Sequence, residues 1–181
     1  MMKRIGIWLL VMALAVSFAG CKEKEMLPQE ITGEVYDAGQ FQVFVPVPWK
    51  VLPVTDLSGQ VKTDGVFLRK GGESDWKVTE KPYIRIDCYG AGEWENQPPD
   101  ESLYRNVEQL PPMELGGLLW EGYTADNYQG KAKIGSQAVL WTEDGIYTYQ
   151  VLVWFKSGGD SISLDDGDVQ AILAGVSAAK E

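Results

Sequence analysis

Few residues in this sequence could do chemistry, and what is missing narrows the list further. None of the 181 residues is histidine. That excludes an imidazole base, a Ser-His-Asp or Cys-His pair, and a His-ligated zinc. Cys88 alternates with Ile84 and Ile86, which places it on the apolar face of a strand. A free thiol there behaves as a small hydrophobe, and no histidine is available to activate it as a nucleophile. Asp165, Asp166 and Asp168 form an acidic cluster. A calcium loop needs oxygens converging from alternate positions, as in D-x-D-x-D-G. These three instead fall where the first turn of a helix is expected, and there they complement its dipole. Glu93, Glu95, Asp100 and Glu101 read as a solvated loop, although a pair of carboxylates can do acid–base work on glycosides without histidine. Lys70-Gly71-Gly72 lacks the G-x-x-x-x-G-K-[ST] order of a phosphate loop and reads as a turn. No metal or cofactor is expected.

One constellation points to binding instead. Opposite Cys88, the strand Tyr83–Tyr89 carries Tyr83, Arg85, Asp87 and Tyr89. The face of Phe41–Val45 opposite its apolar residues carries Gln42 and Phe44. The matching face of Ile146–Phe155 carries Thr148 and Gln150. If these strands share a sheet, one face is apolar and the other mixes aromatic with polar groups. Such a face is either solvated around an Arg85–Asp87 pair or a shallow surface for a ligand or partner, with Arg85 and the tyrosines as its anchors. Trp76 and Trp94 lie in polar, Gly- or Pro-bearing stretches, where a rigid indole either packs under a loop or adds contact area to a binding surface. Trp49, Trp120, Trp141 and Trp154 adjoin strands and read as core or core edge.

The elements that must hold these residues are mostly strands. Period-2 alternation marks Phe41–Val45, stopped at Pro46 and Pro48, and Tyr83–Tyr89. Val61–Leu68, Leu118–Ala125 and Lys133–Trp141 carry weaker strand signals. Thr142-Glu143-Asp144-Gly145 supplies a hairpin turn into Ile146–Phe155, the longest β run. Two helices are expected. Asp100 would cap a short one bearing Leu103, Val107 and Leu110 on one face. Ser163 would cap a terminal one bearing Val169, Ile172, Leu173 and Val176 at i, i+3, i+4, i+7. The sum is an α+β architecture, an antiparallel β-sheet with a C-terminal helix and one short helix packed on it.

Charge and the N-terminus speak to location. With 16 Lys+Arg against 26 Asp+Glu the formal charge is −10, which argues against nucleic-acid binding. Lys3 and Arg4 precede an uncharged apolar run, Ile5–Val16, and small residues follow it, the layout of a secretory signal. The run is shorter than the roughly 20 apolar residues of a membrane-spanning helix. Phe18-Ala19-Gly20-Cys21 resembles the lipobox of bacterial lipoproteins, with Phe18 where that family usually has an aliphatic residue. The resemblance implies a diacylglyceryl group on the Cys21 thiol, cleavage before it, and acylation of the new N-terminus by a fatty acid such as palmitate. Removing Lys3 and Arg4 with the signal takes the formal charge from −10 to −12, so lipid would hold the protein against an anionic bilayer, and two chains suffice for stable anchoring. The expected organisation is a signal peptide over residues 1–20, a lipidated tether over 21–30, and a single domain over 31–181.

Two further resemblances bear on the domain. Phe41-x-Val43-x-Val45-Pro46-x-x-Trp49 is similar to the opening strand and turn of the PsbP-like fold, which implies an antiparallel sheet with packed helices. The stretches Lys70–Trp76, Lys81-Pro82-Tyr83 and Asp168–Ile172 resemble a group of Gram-positive lipoproteins with no assigned activity. Neither resemblance brings a functional residue with it. The expected role is non-catalytic binding or assembly at the cell envelope, on the extracytoplasmic face, toward an envelope protein or a small ligand. A carboxylate-dependent enzyme acting on envelope polymers or glycosides is the alternative.

Overall fold

The computed structural model describes residues 31–71, 81–97, 99–157 and 159–179. Cys21, the tether and Trp76 lie outside the described residues. Strands dominate in chain order: β1 (Gly33–Asp37), β2 (Phe41–Pro46), β3 (Trp49–Thr55), β4 (Val61–Lys70), β5 (Tyr83–Gly90), β6 (Tyr104–Gln109), β7 (Met113–Leu115), β8 (Leu118–Gln129), β9 (Ala132–Glu143) and β10 (Tyr147–Trp154). The short β11 (Lys156–Ser157) and β12 (Asp160–Ser161), the helix α1 (Gly167–Ala174) and β13 (Ser177–Ala178) complete the described chain.

The large sheet runs β3-β4-β5-β10-β9-β8-β6, with β7 paired to the far stretch of β8. Every pairing in it is antiparallel. A second layer, β1-β2-β13, packs with α1 over one face. The core between the layers follows from alternation. Phe41, Val43 and Val45 of β2 meet Val66 and Leu68 of β4, Ile84 and Ile86 of β5, and Tyr149, Val151 and Val153 of β10. Phe41 and Tyr149 meet edge to face at 6.2 Å across that interface, the geometry that ring quadrupoles favour. Trp120 is fully buried in the same core, and Trp49 nearly so.

This architecture corrects the α+β expectation, and with it the sheet-with-helices arrangement that the PsbP-like resemblance implied. The domain is nearly all sheet, and α1 is the one helix among the described residues. The segment expected to form the short helix is β6, antiparallel to β8. Asp100 does accept a hydrogen bond from the Ser102 N–H at 2.8 Å, but the turn it closes leads into a strand. Of the expected apolar stripe, Leu103 and Val107 are exposed and only Leu110 packs against the core, so little rewards a helix there, whereas β8 offers a row of backbone groups that must be paired. The positive φ of Asn106, 53°, coincides with a register shift between Arg105 and Glu108, a bulge at the sheet edge.

The terminal helix forms, three residues later than expected. Its N-cap is Asp166 rather than Ser163. Ser163 and Asp166 close a turn instead, in which the Ser163 N–H donates to the Asp166 carboxylate at 3.1 Å. Val169, Ile172 and Leu173 are fully buried, and Val176, just past the helix, nearly so. β3 carries no strand signal in the sequence because Pro53 interrupts it. As an edge strand it tolerates proline.

Candidate functional site

The second layer covers one face of the large sheet and leaves the other open. Pairing fixes what that open face carries. Across β4, β5 and β10, Phe67 lies opposite Arg85, Arg85 opposite Leu152, Asp87 opposite Gln150 and Tyr83 opposite Trp154. Across β10, β9 and β8, Gln150 lies opposite Trp141, Leu152 opposite Val139, Trp154 opposite Gln137 and Tyr123 opposite Val139. Side chains alternate between faces, so directly paired residues share one. The expected grouping of Tyr83, Arg85, Asp87 and Tyr89 with Gln150 and Thr148 therefore holds in the structure. Gln42 and Phe44 do not join it, because β2 belongs to the other layer.

Some of these residues line a groove. One depression, of about 280 Å³, is formed by Arg85, Asp87, Tyr89, Tyr104, Tyr123, Gln137, Val139, Gln150 and Leu152. A second, of about 310 Å³, adds Glu93, Trp94, Glu95, Asn96 and Gln97 and shares Tyr123, Val139 and Gln150 with the first. The two adjoin at those shared residues, and their volumes fall at or just under the small end of the ~300–1,000 Å³ range of ligand pockets. The loop after β5 makes the outer wall. It is pinned by Glu93, which accepts the Gly90 N–H at 2.8 Å.

At the centre of the floor, Arg85 Nη2 donates to Asp87 Oδ1 at 2.8 Å. Nε lies 2.7 Å from Oδ2, a charge contact without the alignment of a second hydrogen bond. The guanidinium also sits over the Phe67 ring, 5.4 Å from its centroid, within cation–π range. Aromatic groups flank this pair on both sides. Tyr83 stacks on Trp154 at 6.0 Å and meets Phe67 edge-on. On the other side Tyr89, Trp94, Trp141 and Tyr123 form a chain with successive centroids 6.4, 6.0 and 6.2 Å apart. Burial pushes the hydroxyls of Tyr83 and Tyr123 above the usual phenol range, and burial together with the Asp87 carboxylate does so for Tyr89. All three stay neutral at physiological pH and can both donate and accept hydrogen bonds. Tyr123, Ala125 and Val139 form a small buried cluster of their own under this side of the face.

Trp94 thus joins the site, and Trp141 and Trp154 turn out to lie on the open face rather than in the main core. Tyr104, Tyr123 and Gln137 also belong to it, beyond the residues that the sequence singles out. Tyr104 falls in the segment expected to be a helix. For the other two, the available signal was their alternation within strands already expected, but inter-strand register is needed to bring them beside Arg85.

The other candidates resolve into structural roles. Cys88 is buried in the core, and burial, followed by nearby carboxylates, pushes its thiol up to about 12. It stays protonated and unreactive. Asp168 accepts a hydrogen bond from Trp49 Nε1 at 2.7 Å and pairs with Lys70 at 2.8 Å, tying α1 to β3 and β4. Lys70 of the Lys-Gly-Gly turn is thereby engaged in packing. Asp165 and Asp166 precede the helix. Among the described residues no group of three or more Cys, Asp or Glu is placed to hold a metal.

No protein-family model matches the sequence, and no curated protein does. The fold is similar to that of a crystal structure at 1.50 Å resolution from Bacteroides thetaiotaomicron VPI-5482, with 12% sequence identity and a TM-score of 0.51 over 82% of this chain and 49% of that one. The chain therefore spans about half the length of that structure, and at this identity what the two share is the fold.

Proposed function

We propose that this protein is a bacterial lipoprotein, anchored on the extracytoplasmic face of the membrane through diacylglyceryl Cys21, whose open sheet face performs a non-catalytic binding or assembly role at the envelope. The observation that carries the binding part is the groove. Its lining combines the Arg85–Asp87 pair with Tyr89, Trp94, Tyr104 and Tyr123 on the face that the second layer leaves uncovered. Aromatic and arginine side chains are the residue types most often found at the centres of binding energy. Asp87, the acid on the floor, is held by Arg85, which favours recognition over carboxylate catalysis. The anchor rests on the lipobox-like Phe18-Ala19-Gly20-Cys21. Among the described residues no helix is long and apolar enough to cross a membrane.

The test compares the full chain with an Arg85→Ala/Tyr89→Ala variant, each isolated from its own membranes in mild detergent. Truncating two anchors of this kind should weaken binding by about tenfold or more. A molecule retained by the unsubstituted protein should therefore be depleted from the variant while the far-UV dichroism of the two remains the same. An identical set of retained molecules on two equally folded proteins would end the reading.

A further inference from the structure

The groove has a chemistry specific enough to name a ligand class, and we propose that it binds a neutral oligosaccharide. This inference rests on the reading of the open face as a binding surface and goes beyond it by excluding the other occupants.

Charge removes the anions. The groove's one cationic side chain among the described lining is Arg85, and it is already paired with Asp87. Glu93 and Glu95 stand on the wall, and the whole chain carries a formal charge of −10, a field that repels phosphate- or carboxylate-bearing ligands. A cationic ligand gains from that field at the wall but meets no free acid on the floor, where the Asp87 carboxylate is engaged by Arg85. A purely apolar ligand would strip water from Arg85, Asp87, Gln150 and the tyrosine hydroxyls without replacing it, at about 1–3 kcal/mol for each group left unsatisfied.

What remains is a molecule with hydroxyl groups on its edges and C–H faces above and below. Amides and phenols donate and accept at once, as hydroxyl groups do. Arg85 and Asp87 set a donor beside an acceptor, the pattern that two neighbouring hydroxyls of a sugar ring can match without altering the charge. Trp94, on the wall, offers a flat surface for the ring's C–H face, and Trp141 packs against it at 6.0 Å. One further group points the same way. Gln137 is only 2% exposed, lines the groove, and its Nε2 has no hydrogen-bond partner among the described residues. A buried amide donor in that condition is costly unless a ligand or solvent oxygen accepts from it. The groove continues from one depression into the next through Tyr123, Val139 and Gln150, which suits several linked rings rather than a single one.

The experiment titrates the full detergent-solubilised chain with oligosaccharides of β-1,4-glucose, α-1,4-glucose, β-1,4-xylose, β-1,4-mannose and β-1,4-N-acetylglucosamine. Oligogalacturonate and a sulfated glycan serve as anionic probes. Heat and tryptophan fluorescence are followed. At least one neutral probe should saturate the protein, shift the tryptophan emission, and bind equally well when salt is raised. Trp94→Ala and Gln150→Ala, both at partly exposed positions, should each weaken that binding by about tenfold, or about 1.4 kcal/mol, with the melting temperature little changed. Binding of the anionic probes alone, binding that both variants retain in full, or no binding of any neutral probe would each overturn the inference. In the last case the comparison of the Arg85→Ala/Tyr89→Ala variant separates the two levels. If that variant still loses a retained molecule, the open face binds something other than a glycan. If it does not, the binding reading falls as well.

Discussion

Replacing Tyr149 with alanine should cost about 3–5 kcal/mol of folding stability, the usual range for deleting a buried aromatic side chain, and lower the melting temperature by about 10 °C. The ring is fully buried and does two jobs. It meets Phe41 edge-on across the two layers, and its hydroxyl donates to Asp144 at 2.6 Å. Asp144 also accepts the backbone N–H groups of Ile146 and Tyr147, each at 2.8 Å. Tyr149 thus links the interlayer packing to the β9–β10 turn. Tyr149→Phe separates the two jobs. It keeps the ring and removes one donor to a charged acceptor, for a smaller loss of about 1.5 kcal/mol, at the low end because water can reach Asp144.

The pH dependence of that smaller loss has a definite sign. Burial raises the Asp144 carboxyl, but the hydrogen bonds from Tyr149, Tyr147 and Ile146 outweigh it and leave the group below its ordinary value. A carboxyl depressed in the folded state contributes stability that is fully present above its unfolded value, about 3.9, and is lost as pH falls through its folded value. The gap between the unsubstituted protein and Tyr149→Phe should therefore be constant near neutrality and shrink below about pH 4. Denaturant melts at a series of pH values measure it. A gap that stays constant down to pH 2, or an alanine variant as stable as the parent, would show that Tyr149 does not carry this link.

The second large effect concerns the N-terminus. Cys21→Ser should abolish incorporation of a clickable fatty-acid analogue entirely, because the proposed diacylglyceryl group is bonded to that sulfur alone. The mature protein should lose the mass of its lipids and its hold on the membrane. One acyl chain holds only marginally and two hold stably, so no intermediate retention is expected from a chain that carries neither. At a formal charge of −12 once Lys3 and Arg4 are removed, the domain has no electrostatic attraction to an anionic bilayer to fall back on. Lipid label on the serine variant, or an unlabelled parent, would refute the lipobox reading.

How far the sequence could be read depended on whether the signal was local. The alternation Tyr83-Arg85-Asp87-Tyr89 against Ile84-Ile86-Cys88 is a property of one strand, and the structure keeps it residue for residue. The core face of α1 was legible for the same reason, since Val169, Ile172 and Leu173 need only the helical period. Its cap was less so, because Ser163 and Asp166 are both good caps and only the path of the chain chooses between them. Register and layer membership are not local. Alternation shows that Phe41, Val43 and Val45 are buried, but it does not say in which sheet, and β2 lies across the core from β5 rather than beside it. Likewise nothing within β9 states that Trp141 will stand opposite Gln150. The misassigned helix has the most consequence for the site. Leu103, Val107 and Leu110 sit at helical spacing, yet the need to pair the edge of β8 overrides that weak stripe, and the strand that results delivers Tyr104 to the groove.

The central claim, a lipid-held protein whose open face holds a ligand, is tested most directly by native mass spectrometry of the full chain extracted from its own membrane in mild detergent. The account predicts a chain beginning at Cys21, heavier than its residues by a diacylglyceryl group and an acyl chain. On collisional activation it should release a neutral hexose- or pentose-containing species. A chain of unmodified residue mass with its signal removed, or a lipidated chain from which nothing but detergent and membrane lipid departs, would contradict it.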